Sequence, residues 1–203
     1  MNDIIIIEEL QKQISKKLKQ LDKTVWFLKG FQCNTDGNVT HISIQKTRLK
    51  GQWPEAIFKL KHLEYLNIQD NELKCIPEEI SALQNLKCLD IRLNQLNTLP
   101  ESLVELQYLE KLYLGNNEFK SIPESIKDCN ALRVIDFTEN QITDGCENIL
   151  KSDSIKNIYL KSNQLKTFPF NLIRDGQIEE LNLQENLISS DHPQPVNVKR
   201  FYI

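Results

Sequence analysis

Along most of the chain, apolar residues return on one fixed schedule. Leu63, Leu86, Leu109, Leu132, Ile155 and Ile178 stand 23 residues apart, and each opens the frame apolar-x-x-apolar-x-apolar-x-x-Asn-x-apolar. The copies read LEYLNIQDNEL, LKCLDIRLNQL, LEKLYLGNNEF, LRVIDFTENQI, IKNIYLKSNQL and IEELNLQENLI. A diverged first copy, VTHISIQKTRL from Val39, starts 24 residues before Leu63 and carries Thr47 in the asparagine column. The three leading positions are apolar in every copy, so this periodicity outranks any single motif. The apolar-x-apolar step has a period of two, which predicts a short strand with its leucines inward and its x residues outward.

The second half of the unit repeats too, as Ile76-Pro77-x-x-Ile80, Leu99-Pro100-x-x-Leu103, Ile122-Pro123-x-x-Ile126 and Phe168-Pro169-x-x-Leu172. Proline there favours a fixed turn into a short helical or 3-10 segment. With this frame the chain resembles the leucine-rich-repeat family, in its 23-residue "typical" class, over about Val39 to Ser190. The resemblance implies an α/β leucine-rich-repeat solenoid, a curved horseshoe with a parallel β-sheet on its concave face. One coil cannot bury its own apolar side, so stability is expected from neighbouring coils. In the second repeat the expected inward set is Leu63, Leu66, Ile68, Leu73, Ile76, Ile80 and Leu83.

Asn71, Asn94, Asn117, Asn140, Asn163 and Asn186 form one column. A buried amide there is expected to bond backbone groups of its own turn and the next, which makes the column structural. The fifth repeat has Thr143-Asp144-Gly145-Cys146 where Ile-Pro is due, and Ser152 at a core position, so its outer side is expected to differ.

Residues 1–38 read as an N-terminal helix and hairpin cap. Ile7, Leu10, Ile14, Leu18, Leu21 and Val25 lie on one helical face, with Asp3 as N-cap, and Trp26, Phe27, Leu28 and Phe31 follow as bulky apolar groups. Asp36-Gly37 signals a hairpin turn before Val39. Residues 39–190 hold the seven repeats. Residues 191–203 form a C-terminal capping tail, in which Pro193 and Pro195 argue against a helix; the alternating apolar residues from Val196 either cover the last repeat or meet a second chain.

Composition removes several function classes. A net charge of −3 lacks the basic excess of a nucleic-acid protein. No apolar run reaches the roughly 18 residues of a membrane span, and the first residues lack the pattern of a secretory signal. Five cysteines, an odd number without a C-x-x-C pair, read as reduced thiols, so a cytoplasmic location is expected. No phosphate loop, dinucleotide fingerprint, zinc motif or nucleophile elbow is present, which points away from an enzyme, a cofactor or a metal. Cys88 and His41 share a column two strands apart, roughly 10 Å, too far for a catalytic pair.

Function is therefore expected in the outward strand positions. Three columns run His41, Tyr65, Cys88, Lys111, Val134, Asn157, Glu180; then Ser43, Asn67, Asp90, Tyr113, Asp136, Tyr159, Asn182; then Gln45, Gln69, Arg92, Gly115, Thr138, Lys161, Gln184. Tyr65, Asp90, Arg92, Leu93, Tyr113, Asp136, Tyr159 and Lys161 are the candidate partner-binding residues, because tyrosine and arginine dominate interface energies and the charge is mixed. Gly115 is expected to leave a notch beside Tyr113. The expected function is non-enzymatic protein–protein interaction by a monomer on the concave sheet, with a protein or peptide partner and no nucleic acid or membrane. Resemblance to the family implies adaptor, regulator or effector roles. The alternative is a structural protein that self-associates through its open C-terminal end or N-terminal helix.

Overall fold

The computed structural model describes residues 3–14, 16–22, 28–189 and 198–203. The predicted strands form, and they pair in the predicted register. β1 (Lys19–Gln20), β2 (Gly30–Cys33), β3 (Val39–Ser43), β4 (Tyr65–Asn67), β5 (Cys88–Asp90), β6 (Lys111–Tyr113), β7 (Val134–Asp136), β8 (Asn157–Tyr159), β9 (Glu180–Asn182) and β10 (Arg200–Tyr202) make one sheet in chain order. All pairs are parallel except β2–β3. The seven inward residues of the second repeat are all buried, and the three leading apolar residues of every coil join one continuous core. Opposite the sheet, Pro54, Pro77, Pro100 and Pro123 each precede a five-residue 3-10 turn, as their fixed φ favours.

The asparagine column is bonded throughout and buried from Asn71 to Asn163, with Asn186 half-buried, and its direction needs one correction. Each amide reaches back to the preceding coil rather than forward to the next. Asn117 Nδ2 donates to Leu114 and Gly115 of its own turn and to Ile91 one coil earlier, while its Oδ1 accepts the Leu96 N–H at 3.0 Å. Asn94, Asn140, Asn163 and Asn186 repeat the pattern. Thr47 stands in for the amide in the first coil, where its hydroxyl donates to the Ile44 carbonyl at 2.8 Å.

Immediately before this column the backbone turns left-handed in every repeat, at Lys46, Asp70, Leu93, Asn116, Glu139, Ser162 and Glu185. None is glycine, so each carries a steric penalty that the bonded turn holds in place.

Helix α1 (Asp3–Ile14) buries Ile6, Ile7, Leu10 and Ile14 against the first repeat's 3-10 turn. It ends earlier than the apolar spacing predicts. Leu18 stays buried, yet its N–H is held by the Gln11 side chain at 2.7 Å and the chain continues into β1. Residues 19–21 find backbone partners on the edge of β2, including Leu21 N–H to Phe31 carbonyl at 2.8 Å, and this sheet pairing outcompetes further helix. Gly30 permits the close approach, since a Cβ there would lie 2.4 Å from the Lys19 carbonyl. Asp3 opens the helix as its first residue, and its carboxylate accepts the Val39 N–H at 2.8 Å, tying helix to strand. The hairpin forms around Asn34–Asn38 with Gly37 at φ 81°. Val25, Trp26 and Phe27 lie outside the described residues, as do Pro193, Pro195 and Val196.

At the other end, β10 adds to β9, and Phe201 sits edge-on to Phe170 at 5.9 Å. In the fifth repeat the proline turn is replaced by a short helix α2 (Cys146–Leu150) entered through Gly145 at φ 82°, where a Cβ would strike the Ile122 backbone at 2.7 Å. Beside it lies a recess of about 480 Å³ between Ser121, Thr143, Asn148 and Phe168. Among the described residues no helix is long and apolar enough to cross a membrane.

Two measurements test this account of the turns. Asn117→Ala is expected to destabilise by about 1–3 kcal/mol in denaturant unfolding, because buried backbone groups lose their partner. Asn186→Ala should cost less, since that residue is half-exposed. Leu93→Gly is expected to stabilise by about 0.5–1 kcal/mol, since glycine adopts the left-handed turn without a Cβ clash.

Candidate functional site

The strands set three columns of side chains on the sheet face, and the pairings align them as predicted. The face is not equally open along its length. Ser43, Asn67, Cys88 and Asp90 are buried, with Asn67 at 0% exposure. From β6 to β8 the face opens: Lys111 is exposed, and Tyr113, Val134, Asp136, Asn157 and Tyr159 are half-buried.

At the closed end, Tyr65 stacks on His41 with ring centroids 4.3 Å apart and planes 8° from parallel. Burial is the main cause that lowers the pKa of His41. Asp90, one of the candidate contacts, is only 4% exposed. Its carboxylate takes a two-pronged bond from Arg92, Nε to Oδ1 at 2.9 Å and Nη2 to Oδ2 at 2.7 Å. Gln69 Nε2 adds a third at 2.6 Å. A carboxylate so buried requires its cation, so Asp90 serves to hold Arg92 in place. The bond raises the Arg92 pKa further, against the opposing effect of burial.

Arg92 in turn lies over Tyr113, with its guanidinium carbon 5.4 Å from the ring centroid, a cation–π arrangement. The expected notch at Gly115 is filled by this side chain: a Cβ on Gly115 would stand 3.6 Å from the Arg92 methylenes. Tyr113 is pushed up to about 12, chiefly by burial and then by Cys88 and Asp90. Tyr159 is also raised, by burial first and by neighbouring Glu180 next. Leu93 projects from its left-handed turn, 45% exposed, and Lys161 pairs with Glu185 at 3.0 Å. The structure thus brings Arg92, Tyr113, Asp136 and Tyr159 onto three adjacent steps of the sheet plus the one before, and leaves Tyr65 apart with His41.

The sequence frame ends at the seventh repeat and misses the eighth member of the columns. β10 sets Arg200 beside Glu180, with an ion pair of 2.9 Å, and Tyr202 beside Asn182. Alternation in the tail was the available signal, but without the repeat frame it gave no register. The side chains Asn67, Asp90, Asp136 and Asn182 also have a local role that residue type alone did not reveal. Each accepts the backbone N–H two residues on, at Gln69, Arg92, Thr138 and Gln184.

Three of the thiols are buried in the repeats. Burial raises Cys88 to about 12, and Cys129 and Cys146 to about 11 and about 12. No cluster of three metal-ligating side chains occurs among the described residues.

Residues 41–187 match the leucine-rich repeat region family. No curated protein matches the sequence in a direct search. Solved structures share the fold. A leucine-rich-repeat protein of Leptospira interrogans is 25% identical, with a TM-score of 0.59 over 88% of this chain and 51% of that one. An internalin of Listeria monocytogenes is 22% identical, with a TM-score of 0.59 over 72% of this chain and 43% of its own. The BIR3–SERK2 complex of Arabidopsis thaliana contains a chain 22% identical, with a TM-score of 0.61 over 82% of this chain and 96% of that one. The present chain therefore spans about half or less of the two bacterial proteins.

Thiol accessibility offers a direct test of the closed end of the face. Iodoacetamide at about pH 7.5 is expected to modify exposed Cys75 and to spare Cys88, Cys129 and Cys146 until the chain unfolds, as read by peptide mass spectrometry. Prompt alkylation of Cys88 in the folded chain would contradict its burial.

Proposed function

This chain belongs to the leucine-rich-repeat family, and we propose that it is a non-enzymatic interaction module that grips a protein or peptide segment on its sheet face. The observation that carries the reading is the run Arg92, Tyr113, Asp136, Tyr159 on the open stretch of the face. Tyrosine and arginine are the residue types that dominate binding energy. Here they stand on strands locked by the asparagine ladder, and Arg92 is held by Asp90 before any partner arrives. A preorganised surface loses little conformational freedom on binding, which favours affinity. The similarity to a chain of the BIR3–SERK2 complex supports a protein partner in the same coarse sense.

In this proposal residues 1–38 and 191–203 cap the two ends of the repeats at 39–190. The seating of Phe201 on Phe170 supports capping by the tail over self-association, and with it a monomer. The five unpaired cysteines suit a reducing, cytoplasmic compartment.

The double variant Tyr113→Ala with Tyr159→Ala tests the face. Its melting temperature is expected to stay within a few degrees of the wild type, while the partner recovered from lysate by the wild-type chain and identified by mass spectrometry is lost. Hydrogen exchange on the reconstituted complex should show protection along β5 to β8. Undiminished capture by the double variant would place binding on another surface.

A further inference from the structure

We propose that the slot between Tyr113 and Tyr159, floored by Asp136, receives the cationic side chain of a lysine or arginine from the bound segment. The proposal rests on the sheet-face reading and adds the chemistry of what enters it. Two repeats of the same chain supply the argument. β5 leads into Asp90-x-Arg92 and β7 into Asp136-x-Thr138, with the two carboxylates in one column. In both, a carboxylate oxygen accepts the backbone N–H two residues on, at 3.4 Å from Arg92 and 2.8 Å from Thr138.

In β5 the cation comes from the same strand. Arg92 binds Asp90 with both prongs and rests on Tyr113, in space left by Gly115. In β7 the matching position is Thr138, short and uncharged, and Lys161 stands where Gly115 stood. Among the described residues Asp136 makes no ion pair. Nearby cations do not supply one: Arg92 is tied to Asp90, Lys161 pairs with Glu185, and exposed Lys111 makes no ion pair there either. The chain thus holds the arrangement twice, once filled from within and once with a tyrosine on each side and, among the described residues, no cation bonded to the carboxylate.

The dimensions fit. Two strand spacings separate Tyr113 from Tyr159, about 9–10 Å. A charged head midway between the two columns would stand about 5 Å from each strand, which is within the roughly 6 Å reach of a cation–π contact. The carboxylate oxygen not engaged by Thr138 is available for the charge-assisted bond.

Asp136→Asn isolates the charge. Asn67 and Asn182 hold the equivalent backbone N–H from the same column at 3.2 and 3.1 Å, so the substitution keeps the local bond and the fold. The isotope-labelled full chain is titrated by NMR with methylguanidinium chloride, with butylammonium chloride and with neutral methylurea. The expected result is a saturable shift of the Tyr113 and Tyr159 ring signals with both cations and none with methylurea. Asp136→Asn should weaken that response about tenfold. A second variant, Thr138→Arg with Lys161→Gly, rebuilds in β7 the arrangement of β5 and is expected to abolish it. A response retained in both variants, or absent from the wild type through the millimolar range, overturns the proposal. Partner capture separates this from the broader reading. Capture lost with the tyrosine double variant but unchanged with Asp136→Asn overturns the cation slot and leaves the sheet face standing; capture unchanged with both overturns both.

Discussion

Backbone polar groups that belong to no helix and no ladder must still be paired inside a close-packed chain, and this molecule is organised around that requirement. After each strand from β3 to β9 the chain turns through a left-handed residue, and the turn leaves carbonyls and N–H groups facing inward. One asparagine per coil serves them. Because each amide reaches back to the coil before, pairing is completed only by two coils together. That reach couples neighbours directly and makes stability a sum along the array. It also explains the ends of the column. Thr47, with a single hydroxyl donor, serves its own turn in the first coil, and Asn186 at the last repeat is half-exposed.

The same ladder makes the sheet a stiff platform, and the platform sorts the residues on its face. Where long side chains fold over one another, as Arg92 and Gln69 do over Asp90, the face closes and its charges are satisfied internally. Where the column carries Tyr113, Asp136 and Tyr159 it stays open. The carboxylates and amides of that column do two jobs at once. One oxygen holds a backbone N–H at the strand's end, and in Asp90 the carboxylate also binds the Arg92 guanidinium.

Departures from the frame have local physical causes. Without a proline to set the turn, the fifth repeat enters a short helix through Gly145, whose left-handed backbone approaches Ile122 too closely for any side chain. The carbonyls this irregular segment exposes are met by the next coil, where buried Gln177 donates to Leu150 and Ser152 at 2.7 and 3.0 Å. Helix α1 stops at Ile14 although its apolar spacing continues, because the edge of β2 offers the following residues a better set of backbone partners.

Periodicity determined the coil length, the strand positions and the inward leucines, which follow from a spacing of 23 residues and an alternation of two, and the family resemblance carried by that frame implied the parallel sheet. It also placed Arg92, Tyr113, Asp136 and Tyr159 on one face. Only the folded chain decided which of them stay open. Burial of Asp90, the filling of the notch at Gly115, the backward reach of the amides and the strand at Arg200–Tyr202 depend on which side chain leans over which neighbour. Those choices are made between residues about 23 apart in sequence but one strand apart in space. A pattern read along the chain gives the column a residue occupies. The direction in which a flexible side chain leaves that column is set by the gaps and charges beside it.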